Sequence, residues 1–137
     1  MDVYLKKSVV QNIIITLEMP EKGGILGGET QRIISRYFYD EFGSSHSKPN
    51  EYIPHTPSLK KCIMEWKNEH IEFVGFIHSH PSGHNTLSRA DIDYAIQFCN
   101  LNHEPYVLMF IFADQTIHGY QIFNDCSIVK SNIIISV

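Results

Sequence analysis

His78 and His80 stand one residue apart in the run His78-Ser79-His80-Pro81, and Asp91 follows eleven positions after the second histidine. Two imidazole nitrogens and a carboxylate oxygen are donor types that hold zinc in hydrolytic sites, where three protein ligands leave one position for water. Glu21, near the other end of the chain, is the candidate to take that water's proton and return it to a departing amine. Ser88 adds a hydroxyl able to donate to a developing oxyanion, with the metal carrying most of the electrostatic load.

Each of these residues also has a plainer reading. Ser88-x-x-Asp91 is a capping-box variant, in which the serine caps a helix and the aspartate satisfies an early amide. A single histidine is more often structural than catalytic, and Glu21 alone is a solvated charge. Together they read differently, because one strand end would present both imidazoles and the next helix start would supply the carboxylate. Polar groups gathered there without partners would be costly in a core. His46, His55, His70, His103 and His118 lack comparable placement and read as surface or local hydrogen-bonding groups. His84 lies inside the same loop and is a candidate substrate contact outside the ligand set. Asp93 fits helix N-terminal electrostatics better than ligation.

The elements that must position these groups follow from patterning. Ile13, Ile14, Ile15 and Thr16 favour strand by propensity, but Val10, Ile13, Ile14 and Leu17 repeat at helical spacing, and the preferred reading is a helix over 9–17, with Ser8 as its cap and Pro20 after its end. Gly23–Gly28 reads as a short buried strand whose small residues would let Glu21 lie beside a central sheet. It lacks the Lys-Ser/Thr ending of a phosphate loop. Ile33–Asp40 is strand-like. Residues 41–57, with Gly43, serines and prolines, read as an exposed loop that either covers a cleft or simply connects elements. Thr56-Pro57 opens a helix with an apolar face of Leu59, Cys62, Ile63 and Trp66.

Phe73–Ile77 is a central strand that delivers His78 and His80 at its end, and period two puts both imidazoles on one side. Pro81 and Gly83 stop it. Ser88 starts a helix that buries Ile92, Ala95, Ile96 and Cys99 and ends near Asn100. Strands follow at Tyr106–Phe112 and Thr116–Phe123, joined by the Asp114-Gln115 turn, and at Val129–Val137. The expected fold is α/β or α+β, a mixed sheet covered by helices.

At 137 residues the chain suits a single domain over 1–137 with a real core. A 43% hydrophobic and 12% aromatic composition excludes a disordered chain. The net charge of −4 and the lack of a Lys/Arg cluster argue against nucleic acid as a partner. Cys62, Cys99 and Cys126 are odd in number and scattered, unlike a disulfide framework and compatible with a reducing compartment. Cys62 and Cys99 fall on apolar helix faces and should be buried. With neither a membrane-length apolar run nor a signal-like start, the expected setting is cytoplasmic.

His78-Ser79-His80-Pro81 followed by Ser88-x-x-Asp91 resembles the metal signature of the JAB/MPN family, the JAMM metalloproteases. Glu21-Lys22-Gly23-Gly24-Ile25-Leu26-Gly27 resembles the upstream segment that carries that family's catalytic glutamate. The resemblance implies zinc, one ion per chain, on His78, His80 and Asp91, with Glu21 as acid/base and Ser88 stabilising the tetrahedral intermediate. It implies a fold like that of cytidine deaminases, without deamination, because the deaminase Cys-Cys ligand signature is absent.

The activity implied is a zinc metalloisopeptidase, deubiquitinase-like, that hydrolyses an amide or isopeptide bond after the C-terminal tail of a ubiquitin-like protein. The implied partners are that protein or its conjugate, with E1- or E2-like proteins encoded nearby. Pro81-Ser82-Gly83 also resembles the metal loop of the RadC-like branch. The segment after Asp91 leaves little room for the long insertion of specialised eukaryotic deubiquitinases, which favours a prokaryotic-type enzyme. Two rivals remain: a catalytically idle MPN-like interaction module, and a peptidase acting on cell-wall or phage-associated peptides.

Overall fold

The computed structural model describes residues 1–48 and 51–137. Its elements in chain order are β1 (Asp2–Lys6), α1 (Lys7–Thr16), β2 (Gly23–Gly28), β3 (Ile33–Ile34), β4 (Arg36–Tyr39), α2 (Glu41–Ser45) and α3 (Thr56–Asn68). Then follow β5 (Glu72–Ser79), α4 (Arg89–Asn102), β6 (Tyr106–Ala113), β7 (Thr116–Phe123) and β8 (Ile128–Ser136). The described residues form one eight-stranded mixed sheet in the order β3-β1-β8-β7-β6-β5-β2-β4. β5 and β6 run parallel, with α4 as the crossover, and β2 lies antiparallel to β5 on its other side.

Side chains alternate between the faces of these central strands, and both faces are covered. Ile25, Phe76, Met109 and Ile111 face α3 and α4, where they pack with Leu59, Cys62, Trp66, Ala95 and Cys99. Leu26, Ile77, Leu108 and Phe110 point the other way and meet Val9 and Ile13 of α1. Cys62 and Cys99 are buried and unpaired, as expected; Cys126 is exposed. Among the described residues, no helix is long and apolar enough to cross a membrane.

Four local expectations change. The predicted strand Ile33–Asp40 is two strands: Ile33 and Ile34 pair with β1, whereas Arg36–Tyr39 pair with β2. These are the two outermost strands of the sheet, and only Ser35 separates them. The sheet must therefore curve until its ends nearly meet, and the Ser35 amide donates to the Gly27 carbonyl (2.9 Å) at that junction.

The helix α1 leaves β1 without a break, so its N-cap is Lys6, with no side-chain cap, and Ser8 falls inside the first turn. The expected loop 41–57 contains α2, capped by Asp40, whose carboxylate accepts from the Gly43 amide. Pro49 and Asn50 of that loop lie outside the described residues. At α3 the cap is His55, whose ring nitrogen accepts from the Ser58 amide, while Pro57 sits in the first turn as predicted.

Gly75 pairs with Leu108 where β5 meets β6, and an added Cβ there would collide with the Leu108 carbonyl. Gly75→Ala should therefore destabilise the protein by ~1–3 kcal/mol through overpacking. Denaturant unfolding checks this; an unchanged midpoint would contradict the close approach of the two strands.

Candidate metal centre

β5 carries His78 to the edge of the core, where it is buried, and His80 follows one residue past the strand's end. The His80 amide still donates to the Phe112 carbonyl (3.0 Å). Strand geometry thus persists to His80, and the predicted shared face is realised: the two Nε2 atoms lie 2.9 Å apart. Asp91, in the first turn of α4, places Oδ1 2.9 Å from His78 Nε2 and Oδ2 3.3 Å from His80 Nε2.

Asp91 completes the capping box expected from the sequence while its carboxylate faces both histidines. The Ser88 amide donates to Asp91 Oδ2 (2.8 Å), and the Asp91 amide donates to Ser88 Oγ (3.1 Å), completing a capping box. The cap fixes the carboxylate; the carboxylate faces the histidines.

These distances allow a test of fit. Donors on a tetrahedral zinc with bonds of ~2.0–2.1 Å stand roughly 3.3 Å apart, close to the triangle formed by the two nitrogens and the Asp91 carboxylate. His80 Nδ1 lies 3.0 Å from the His84 carbonyl. A carbonyl only accepts, so Nδ1 carries a proton and Nε2 is the ring atom that His80 turns into the triangle. Two imidazole nitrogens and a carboxylate this close are bridged by shared protons or by a cation, and once deprotonated they present their lone pairs to one point. The donor set fits zinc.

Glu21 offers an oxygen in a group with His78 and His80 whose donor atoms all lie within 4.8 Å of one another. It is only 7% exposed, so the chain must hold a carboxylate in the core. Ser79, between the histidines, does this by facing away from them. Its hydroxyl lies 3.0 Å from the Met19 carbonyl and accepts from the Lys22 amide (3.0 Å), while the Ser79 amide donates to the Lys22 carbonyl (2.8 Å). The segment bearing Glu21 is thereby fastened to the strand bearing the imidazoles.

Electrostatics separate the two carboxylates. Burial pushes the Glu21 carboxyl above its ordinary range, against the pull of His78 and His80 and with a smaller push from Asp91. Burial also pushes Asp91 upward, but the bonds from His78 and His80 and the Ser88 amide outweigh it and hold Asp91 well below the carboxylate range. Burial opposes charge on His80, yet its bond to Asp91 leaves it above the ordinary histidine value. A pair so divided offers one permanent anion and one carboxylate able to carry a proton.

The loop between His80 and α4 is clamped from outside. Asp114, in the β6–β7 turn, accepts from the Ser82 hydroxyl (2.5 Å) and the Gly83 amide (2.9 Å), and the Tyr120 hydroxyl donates to the Asn85 carbonyl (3.0 Å). A cleft of about 450 Å³ opens over the site, lined by Glu21, Tyr52, His78, His80, Ser88 and Asp91 among others. His84 lines it too, and its carbonyl orients His80. Asp93 pairs with Arg89 on the surface (3.1 Å) and stays outside the site.

Sequence reasoning brought together Glu21, His78, His80, Ser88 and Asp91. It missed Ser79, Asp114, Asp40 and Tyr52. Only Ser79 carried a signal, since strand alternation turns its side chain away from the imidazoles.

Residues 16–122 match the Prok-JAB family, the prokaryotic homologs of the JAB domain. No curated protein gives a significant match. Among solved structures, a protein from Desulfitobacterium hafniense superposes with a TM-score of 0.72 at 17% identity, covering 98% of this chain and 92% of its own. A JAB1/MPN domain protein from Archaeoglobus fulgidus gives 0.51 at 14% identity, covering 98% and 99%. A structure described as JAMM, a metalloprotease-like zinc site in the proteasome and signalosome, gives 0.51 at 12% identity, also covering 98% and 99%. At these identities the structural likeness establishes the fold.

Ser79→Ala should cost ~1–3 kcal/mol, because it leaves the part-buried Lys22 amide without its acceptor. Equilibrium unfolding measures the loss, and a variant as stable as the parent would show that the staple does not hold the Glu21 segment.

Proposed function

The chain belongs to the prokaryotic JAB family, and from that premise we propose that it is a zinc-dependent metalloisopeptidase. Its substrate in this reading is the amide or isopeptide bond that follows the C-terminal tail of a ubiquitin-like protein, and it acts in the cytoplasm. Family membership and the donor group of Glu21, His78 and His80 support a metalloenzyme. One observation carries the hydrolytic reading: two imidazoles and an anionic aspartate converge on one point, with a buried carboxylate beside them that is not needed to complete the triangle.

His78, His80 and Asp91 would hold the ion, and zinc bound there supplies the Lewis acidity that makes water a nucleophile near neutral pH. Glu21 takes one proton from the attacking water and delivers it to the nitrogen of the departing amine as the C–N bond breaks. Burial, which raises its proton affinity, suits it to both halves of that transfer. Ser88 Oγ uses a lone pair to accept the Asp91 amide, which leaves its O–H free to donate to the carbonyl oxygen as charge develops.

A cleft of about 450 Å³ admits an extended segment and excludes a folded domain, so the partner's body would dock outside while its tail enters. Backbone pairing along a sheet edge is a ready means to hold such a tail. Deleting the tail should abolish cleavage; cleavage to completion without it would overturn tail recognition.

Glu21→Gln should retain about one zinc per chain yet lower turnover of a ubiquitin-like fusion at least ~100-fold, the scale of general acid–base catalysis. Asp91→Ala should instead lose the metal. Zinc analysis beside the cleavage assay separates the two, and unchanged turnover in Glu21→Gln would refute the proton-carrying role.

A further inference from the structure

Tyr52 lines the cleft but takes no part in the chemistry above. Its hydroxyl donates to Asp40 Oδ2 (2.7 Å). Asp40 is fully buried, and its carboxylate also accepts from the amides of Gly43 (3.0 Å) and His55 (2.8 Å). Its own amide donates to the Gly23 carbonyl (2.9 Å). A buried carboxylate with three donors is a rigid anchor, and this one ties β2, α2 and the start of α3 to a single point.

The tyrosine ring then crosses Gly23, where a Cβ would overlap the ring and the Ile77 carbonyl. Gly23 is the sheet partner of His78. Beyond it the ring lies near-parallel to the His78 imidazole, with centroids 6.2 Å apart and planes at 29°, within the range of aromatic pairing. His80 has the His84 carbonyl to orient it; for His78 the neighbour that a glycine makes room for is Tyr52.

We propose that Tyr52, held by Asp40, is a positioning residue that sets the His78 ring for metal binding. The inference rests on the reading of His78 as a ligand, and it makes Asp40 and Tyr52 a buttress of the centre. Hydrogen-bonding partners of ligating histidines typically change metal affinity ~10–100-fold when removed, and a ring contact falls at the low end of that range.

The test is zinc affinity by chelator competition on the intact protein, with imidazole nitrogen NMR of His78 in the metal-free state. Tyr52→Leu should bind zinc ~10-fold or more weakly, and its His78 signals should broaden or move. Tyr52→Phe keeps the ring and loses only the bond to Asp40, so it should lie between Tyr52→Leu and the parent on both measures. If Tyr52→Leu does not fold, Tyr52→Phe alone decides. Parent-like zinc affinity and parent-like His78 signals in the folded variants would overturn the inference. If the parent itself binds no zinc, the metal reading fails, and the metal-free spectra still decide whether Tyr52 holds the ring.

Discussion

Ser79 sits between the two imidazoles and points away from them into the segment that carries Glu21. Three short contacts, to the Met19 carbonyl and to both backbone groups of Lys22, make one residue the hinge pin between distant parts of the chain. A carboxylate as enclosed as Glu21 is unfavourable unless something prevents its segment from peeling outward. Because the serine lies on the same strand as His78 and His80, the same bonds set the distance from that carboxylate to the imidazoles. Fold and site share this constraint.

The rest of the centre is assembled by the same economy, with groups that complete local structure also facing the cleft. Asp91 closes a capping box and faces both histidines. His84 lends its carbonyl to His80 within a loop that Asp114 and Tyr120 fasten to the neighbouring hairpin. The parallel β5–β6 pair requires a crossover, and α4, which makes it, starts beside the strand end that holds the histidines. Topology thus returns the aspartate to them without any long-range design in the loop.

How much of this was legible depended on whether the determinant was local. The helical spacing of Val10, Ile13, Ile14 and Leu17 and the alternation through His80 are properties of short windows, and both elements formed, although α1 starts earlier than read and Ser8 does not cap it. The break at Ser35 was not legible, because Ile33 and Arg36 choose partners, β1 and β2, that lie far apart in the chain. Helix α2 hid behind Gly43 and its serines, since its stability comes from the Asp40 cap and not from propensity. The Asp40–Tyr52–His78 relation and the Asp114 clamp join residues with no shared sequence pattern, and only the folded chain brings them together. The meeting of His78, His80 and Asp91 was legible because strand period turns both imidazoles one way and a capping box fixes the aspartate at the next helix start.

The most direct measurement is anomalous diffraction at the zinc edge on crystals grown with zinc. The account predicts one strong peak within about 2.0–2.2 Å of His78 Nε2, His80 Nε2 and an Asp91 carboxylate oxygen, with the Glu21 carboxylate beyond bonding distance. A peak bound by Glu21 in place of Asp91, or no peak at the histidines, would contradict it.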